Sequence, residues 1–253
     1  MSKNFKALTL VLVVFLAAGI LYINKFSTQD IFPSKKSPEK LAYIFPDGTN
    51  YRLVTLDLPA IDSEGKGVIA KLFVAARTGS GRVLVDINNI LFFVDTQNSI
   101  RVAERVAQNF SKINLSNVDL IYAIDTPASV IEGPSAGAGL TVATVAALEN
   151  KTLNPGVLIT GTINSDGTIG PVGGILAKAE SAKKNGAKIF LVPGGQNSQI
   201  NYKAVKSCET VGIFKYCSTD YMPEKIEFSS DLGIKIVEVS NIQDALKYFI
   251  ENS

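Results

Sequence analysis

Ser135 lies in Gly133-Pro134-Ser135-Ala136-Gly137, a G-x-S-x-G pattern. Such a pattern often presents a nucleophilic serine on a sharp turn. The serine then needs a base, ordinarily a histidine. This chain has 0 His. Carboxylates and lysines remain. A carboxylate with a pKa of about 4 is a weak base towards a hydroxyl, and a lysine at about 10.4 is strong enough but protonated at neutral pH. Burial disfavours the ammonium and can lower its pKa by several units. A lysine held at an apolar wall can then take the proton, and Ser-Lys pairs are a variant of the triad logic.

The stretch after Gly174 supplies Lys178, Lys183 and Lys184. On a helix turning about 100° per residue, Ile175, Ala179 and Ala182 form an apolar stripe. Lys184 points away from it, and Lys178 and Lys183 flank it on either side. Periodicity does not choose between those two. A surface lysine with its stem along the helix edge would give the same pattern.

The glycines around Ser135 admit other readings. Amides at a helix N-terminus favour negative charge, so the turn could cradle phosphate or form an oxyanion hole. It could also be a plain turn with an N-cap serine. No G-x-x-x-x-G-K-[ST] occurs, and no G-x-G-x-x-G follows a strand with an acidic partner about 20 residues on. A small-molecule kinase of another glycine-rich class stays as an alternative.

The elements that must carry these residues follow from pattern. "YRLVTLDLPAI", "GVIAKLFVAAR", "RVLVDI" and "VDLIYAI" read as strands. "SIRVAERVAQNF" puts Ile100, Val102, Ala103, Val106, Ala107 and Phe110 on one helical face, with Ser99 as its cap. "SAGAGLTVATVAALEN" is apolar or small nearly all round and should be a buried helix. "GVLITG" is a buried strand, and Asp166-Gly167 marks a turn. "GGILAKAESAKKNGA" is a helix ended by Asn185-Gly186. "KIFLVP" and "IKIVEV" are strands before a closing helix capped by Asn241. The fold class is α/β (α+β) with a mixed sheet, over residues 50–253, and without regular βαβ repeats.

Ahead of that domain, Ala7–Ile23 runs without a charge, the short end for a spanning helix. Residues 1–6 are then a short cytoplasmic N-terminus, 7–23 a transmembrane anchor and 24–49 a linker, polar with two prolines over its 24–45 part. A cleaved signal segment ending near Ala17-Ala18-Gly19 is the alternative. Residues 1–45 hold six Lys and two acids, leaving −2 for the rest of a chain whose formal charge is +2. The basic excess is off the domain, which argues against a nucleic-acid partner. Without histidine, Cys208 and Cys217 cannot build a Cys/His zinc site. They are either a disulfide pair, which requires an oxidising compartment, or two unrelated thiols. The pair favours a single-pass cell-membrane protein with its domain outside the cytoplasm. Asp95 and Asp125 are expected to be solvated strand-end acids. Lys35-Lys36 is a weak lipid signal, and Tyr202, Tyr216 and Tyr221 are expected to be packing residues.

"EGPSAGAGLTVATVAAL", "LITGTINSDGTIGPVGGILAKAESAKKNGAKIFLVP" and "LGIKIVEVSNIQDAL" together resemble the proteolytic domain of Lon proteases. The family pattern T-G-x-I-x-x-x-G-x-x-x-P-(I/V)-G-G-x-x-x-K lies ungapped on Thr160–Lys178. Ser135 and Lys178 stand 43 residues apart, as the family spacing requires. The resemblance implies Ser135 as nucleophile, Lys178 as general base and Thr160 as the hydroxyl that orients the lysine. It gives Gly133 and Pro134 the shaping of the loop, the Ser135 amide a place in the oxyanion hole, and Glu132 a supporting position. It implies a serine endopeptidase without metal or other cofactor, acting on unfolded or membrane-associated proteins, and a homo-oligomeric ring. No ATPase motif is present, so the activity is expected to be ATP-independent in this chain. Histidines common upstream of the family's serine are missing from "IYAIDTPAS". Residues 198–227 look like an insertion holding both cysteines, a surface excursion pinned by a disulfide. A catalytically silent, membrane-tethered peptide-binding scaffold is the other class of function the sequence permits.

Overall fold

The computed structural model describes residues 50–86, 94–126, 133–211, 214–228 and 232–250. The expected segments at 1–6, 7–23 and 24–49, and Glu132, lie outside them. Among the described residues no helix is long and apolar enough to cross a membrane.

The fold is mixed α/β. Strands β1 (Tyr51–Ile61) and β2 (Gly67–Thr78) pair antiparallel along their whole length. β4 (Val118–Asp125) adds antiparallel to β2, and β3 (Val83–Val85) adds parallel to β4, giving the order β1-β2-β4-β3. The turn between β2 and β3 closes on Asp119, which is 1% exposed. Its carboxylate accepts from the Ser80 and Arg82 amides and pairs with the Arg82 guanidinium at 2.8 Å. That bond to Arg82, followed by the amide bonds, holds it well below the usual carboxylate range.

A second sheet is parallel, as continuous apolar runs suggest. β5 (Val157–Ile159), β8 (Ile189–Pro193) and β11 (Lys235–Val239) stand in the order β11-β8-β5. A short hairpin, β6 (Thr162–Ile163) with β7 (Ile169–Gly170), links the first of these to the helix that follows.

Among the described residues, four helices cover the sheets. α1 (Val94–Ser111) begins before the expected Ser99 cap. Ser99 is interior instead, donating to the Asp95 carbonyl at 2.9 Å. The hydroxyl is satisfied one turn back, so it signals no helix start. α2 (Gly137–Glu149) is buried from Gly137 to Leu148. Its two threonines tolerate this because Thr141 and Thr144 donate to the carbonyls of Gly137 and Leu140 at 2.8 and 2.7 Å. α3 (Ile175–Lys184) packs Ile175, Ala179 and Ala182 with Phe190 and Ile236 on one face of the parallel sheet. α4 (Ile242–Phe249) is capped by Asn241, whose side chain accepts from the Asp244 amide at 2.9 Å. α1, α2 and α4 share the main core with the first sheet and with Ile159 and Leu191.

Residues 198–227 form a hairpin of two 14-residue strands, β9 (Ser198–Val211) and β10 (Phe214–Glu227), that pair only with each other among the described residues. Cys208 and Cys217 are opposite in register and disulfide-bonded.

Candidate active site

The serine turn is set by its glycines. Gly133 has φ +94°, a left-handed value that a side chain would strain. It starts the short 3-10 turn Pro134–Ala136, which runs directly into α2. Pro134 opens that turn, where its missing N–H is no loss. The turn is then docked on the end of β5. The Gly161 amide donates to the Ser135 carbonyl and the Ala138 amide to the Gly161 carbonyl, each at 3.0 Å. Ser135 is half-buried in the first turn before α2, where amides lack intrahelical acceptors.

The lysine is set by helix packing. Gly174, at φ +69°, turns the chain into α3. α3 lies against β1 and β2, close enough that a Cβ at Gly67 would run into the Ala177 carbonyl. This contact decides what periodicity left open. Lys178 is on the buried side, 3% exposed, whereas Lys183 and Lys184 are exposed. Among the described residues no carboxylate pairs with Lys178. Burial alone pushes its pKa down to about 8.

Thr160 connects the two. Lys178 Nζ donates to Thr160 Oγ1 at 3.3 Å, and Thr160 Oγ1 donates to the Ser135 carbonyl at 3.4 Å. Thr160 is 1% exposed, and its amide donates to the Leu191 carbonyl at 3.1 Å. Its hydroxyl proton is committed to the serine turn, so its lone pair faces the lysine.

Ser135 and Lys178 line one cleft of about 620 Å³, together with Gly133, Pro134, Ala60, Ile61, Thr162 and the Pro171–Gly174 segment. A smaller hollow of about 480 Å³, beside Arg52 and Lys151, holds no serine–base pair. One wall of the larger cleft depends on a residue that sequence reading missed. The Gln196 side chain accepts from the Val172 amide at 3.0 Å and donates to the Val172 carbonyl at 2.8 Å. It replaces a neighbouring strand at the segment leading into α3. A glutamine in "PGGQN" carries no sequence signal for that role.

Other residues singled out by sequence fall elsewhere. Asp95 and Asp125 are exposed. Tyr221 is 69% exposed, so the packing role expected for it is wrong within this chain. It lies on a hairpin whose strands pair only with each other among the described residues. The side chains of Tyr202 and Tyr216 lie outside the described residues.

Residues 96–211 match the Lon protease (S16) C-terminal proteolytic domain. The match takes in Ser135, Thr160 and Lys178 and ends at the far end of β9. Similarity to curated Lon proteases is of the same kind. Lon protease 2 of Bacillus subtilis is 31% identical over 83 residues, 33% of this chain and 15% of that protein. Lon protease of Borrelia duttonii is 31% identical over 146 residues, 57% of this chain and 16% of that protein. The archaeal Lon protease of Thermoplasma acidophilum is 22% identical over 188 residues, 74% of this chain and 24% of that protein. The chain thus spans a quarter or less of the length of these relatives.

Proposed function

We propose that this chain is a serine endopeptidase in which Ser135 and Lys178 form the catalytic dyad. The observation that carries the reading is the buried Lys178 amine, lowered to about 8 and hydrogen-bonded to the Thr160 hydroxyl that holds the serine turn. The similarity to Lon proteases supports it. Neutral Lys178 uses one N–H on Thr160 and keeps its lone pair for the Ser135 hydroxyl. Ser135 Oγ bonds to the peptide carbonyl carbon as its proton passes to Lys178 Nζ. The Ser135 amide, at the positive end of α2, stabilises the oxyanion. The C–N bond then breaks, and Lys178 gives the proton to the leaving amine. A water deprotonated by Lys178 attacks the ester, and the proton returns to Ser135 Oγ as the acid leaves. With a pKa of about 8, roughly one lysine in ten is neutral at pH 7.

The activity is proposed to be ATP-independent, since no phosphate-loop motif occurs in these 253 residues. A single membrane anchor at Ala7–Ile23 is proposed, with the domain outside the cytoplasm. The Cys208–Cys217 disulfide supports that side, because it persists only in an oxidising compartment. Unfolded or membrane-associated proteins are the proposed substrates, and a homo-oligomeric ring the proposed assembly. Hydrolysis of a fluorogenic peptide by the chain, beside Ser135→Ala and Lys178→Met, tests the dyad. Wild-type rates in both variants would refute it, and failure of Ser135 to react with a serine-directed probe would favour a silent scaffold.

A further inference from the structure

The hairpin of β9 and β10 has an open backbone edge. The Cα atoms of Cys208 and Cys217 are 4.1 Å apart, the spacing of a non-hydrogen-bonded antiparallel pair. Alternate pairs along the ladder share that type: Lys206↔Thr219, Ala204↔Tyr221, Tyr202↔Pro223 and Ile200↔Lys225. Their amides and carbonyls point away from the partner strand. On β10 the outer edge is broken by Pro223, which has no N–H to offer. On β9 the outer edge runs unbroken through Ile200, Ala204 and Lys206, and no strand pairs with it among the described residues. At about 3.3 Å per residue this edge is roughly 45 Å long.

The hairpin also exposes apolar side chains on both faces. Ile200 (61%) and Tyr221 (69%) share one face, and Val205 (39%) and Met222 (58%) the other. It is rooted at the cleft. β9 begins two residues after Gln196, the residue that holds Val172 in the cleft wall.

Resting on the peptidase reading, we infer that the β9 edge is a capture site for an extended segment of the substrate polypeptide, which adds to it as a third strand. Main-chain pairing is indifferent to sequence, and the flanking apolar side chains suit a chain that exposes its own. Strands of a folded protein are mostly paired or guarded at their edges, so the substrate class is unfolded polypeptide. A second copy of this chain fits the edge less well. Lys203 and Lys206 sit near the middle of β9, and self-pairing there would bring like charges together.

The test uses the full chain with two substrates, a short fluorogenic peptide and a carboxymethylated, permanently unfolded protein. Ala204→Pro removes an outward N–H from β9 without touching a β9–β10 ladder bond. Thr219→Pro makes the same change on the already interrupted edge of β10. The ratio of kcat/KM for the unfolded protein to that for the short peptide is expected to fall about tenfold in Ala204→Pro, as lost main-chain hydrogen bonds imply, and to stay within about twofold in Thr219→Pro. An unchanged ratio in Ala204→Pro, or an equal fall in both variants, overturns the inference. So does sedimentation showing a wild-type dimer that Ala204→Pro dissociates. Binding of the unfolded protein to Ser135→Ala, with and without Ala204→Pro, reads capture without catalysis. Capture lost with Ala204→Pro supports the edge even where no peptide is cleaved, so the two readings fail separately.

Discussion

At the Thr160 corner, Thr160 and Lys178 are nearly inaccessible and tied to each other and to the serine turn. Along β9 and β10, Ile200, Tyr221 and Met222 stand in solvent on strands that pair only with each other among the described residues. The corner is held by surrounding cores and can impose strain on a charge. Among the described residues, no hairpin side chain belongs to a core. The hairpin is held by one ladder and one disulfide, because two strands alone are marginally stable in water. Burial is concentrated where it lowers the Lys178 pKa, and exposure lies where backbone groups stay available.

Breaking the corner should have the largest effects. Ser135→Ala or Lys178→Met is expected to lower peptide kcat by about a thousandfold or more, and combining them should add little, as for residues that act as a unit. Steady-state kinetics on the same peptide reads this. Lys178→Met should also stabilise the fold. The native amine, near 8 against an ordinary 10.5, releases its proton more easily than the unfolded one. Below pH 8 the buried ammonium therefore destabilises the native state in full. From pH 8 to 10.5 the unfolded chain holds the extra proton, and wild-type stability recovers as pH rises. Denaturant melts should show the variant ahead by about 3 kcal/mol at pH 7, with the gap closing across that window.

Thr160→Val keeps the shape but removes the acceptor of the lysine N–H and one of the two donors to the Ser135 carbonyl, leaving the Gly161 amide. It is expected to reduce kcat by about 10- to 100-fold, with the acidic limb of the pH profile displaced. Gln196→Leu releases Val172 and should raise KM by about fivefold with less effect on kcat. A kcat loss as large as that of Thr160→Val would mean that the wall also orients the dyad. Cys208→Ser with Cys217→Ser comes last. It should make the hairpin sensitive to a nonspecific protease yet change short-peptide kcat by less than about twofold, since the cores do not include it. Limited proteolysis beside the peptide assay checks both halves.

Much of the packed region was legible in the sequence. The alternation of β1, the apolar run of β2 and the unbroken apolarity of α2 correspond closely to the elements observed. Asn241 and Asn185-Gly186 mark helix ends for local reasons that need no tertiary context. Ser99 misled because a buried serine can bond back within a helix. The choice between Lys178 and Lys183 was not legible from periodicity. Both flank the stripe, and only the approach of α3 to Gly67 selects one. Gln196 was invisible because its partner, Val172, is 24 residues away and is bound through backbone atoms. The hairpin read as a surface excursion pinned by a disulfide, and its long ladder was not legible because its described side chains from Lys203 to Cys208 and Cys217 to Pro223 are exposed, so burial imposes no pattern there.

The central claim is that a neutral Lys178 activates Ser135. The rate at which a serine-directed acylating probe modifies Ser135, followed against pH, measures this most directly. The prediction is a rate that rises with pH through an apparent pKa of about 8 in the wild type and is lost at every pH in Lys178→Met. A pH-independent rate, or equal labelling of Ser135 in Lys178→Met, would contradict it.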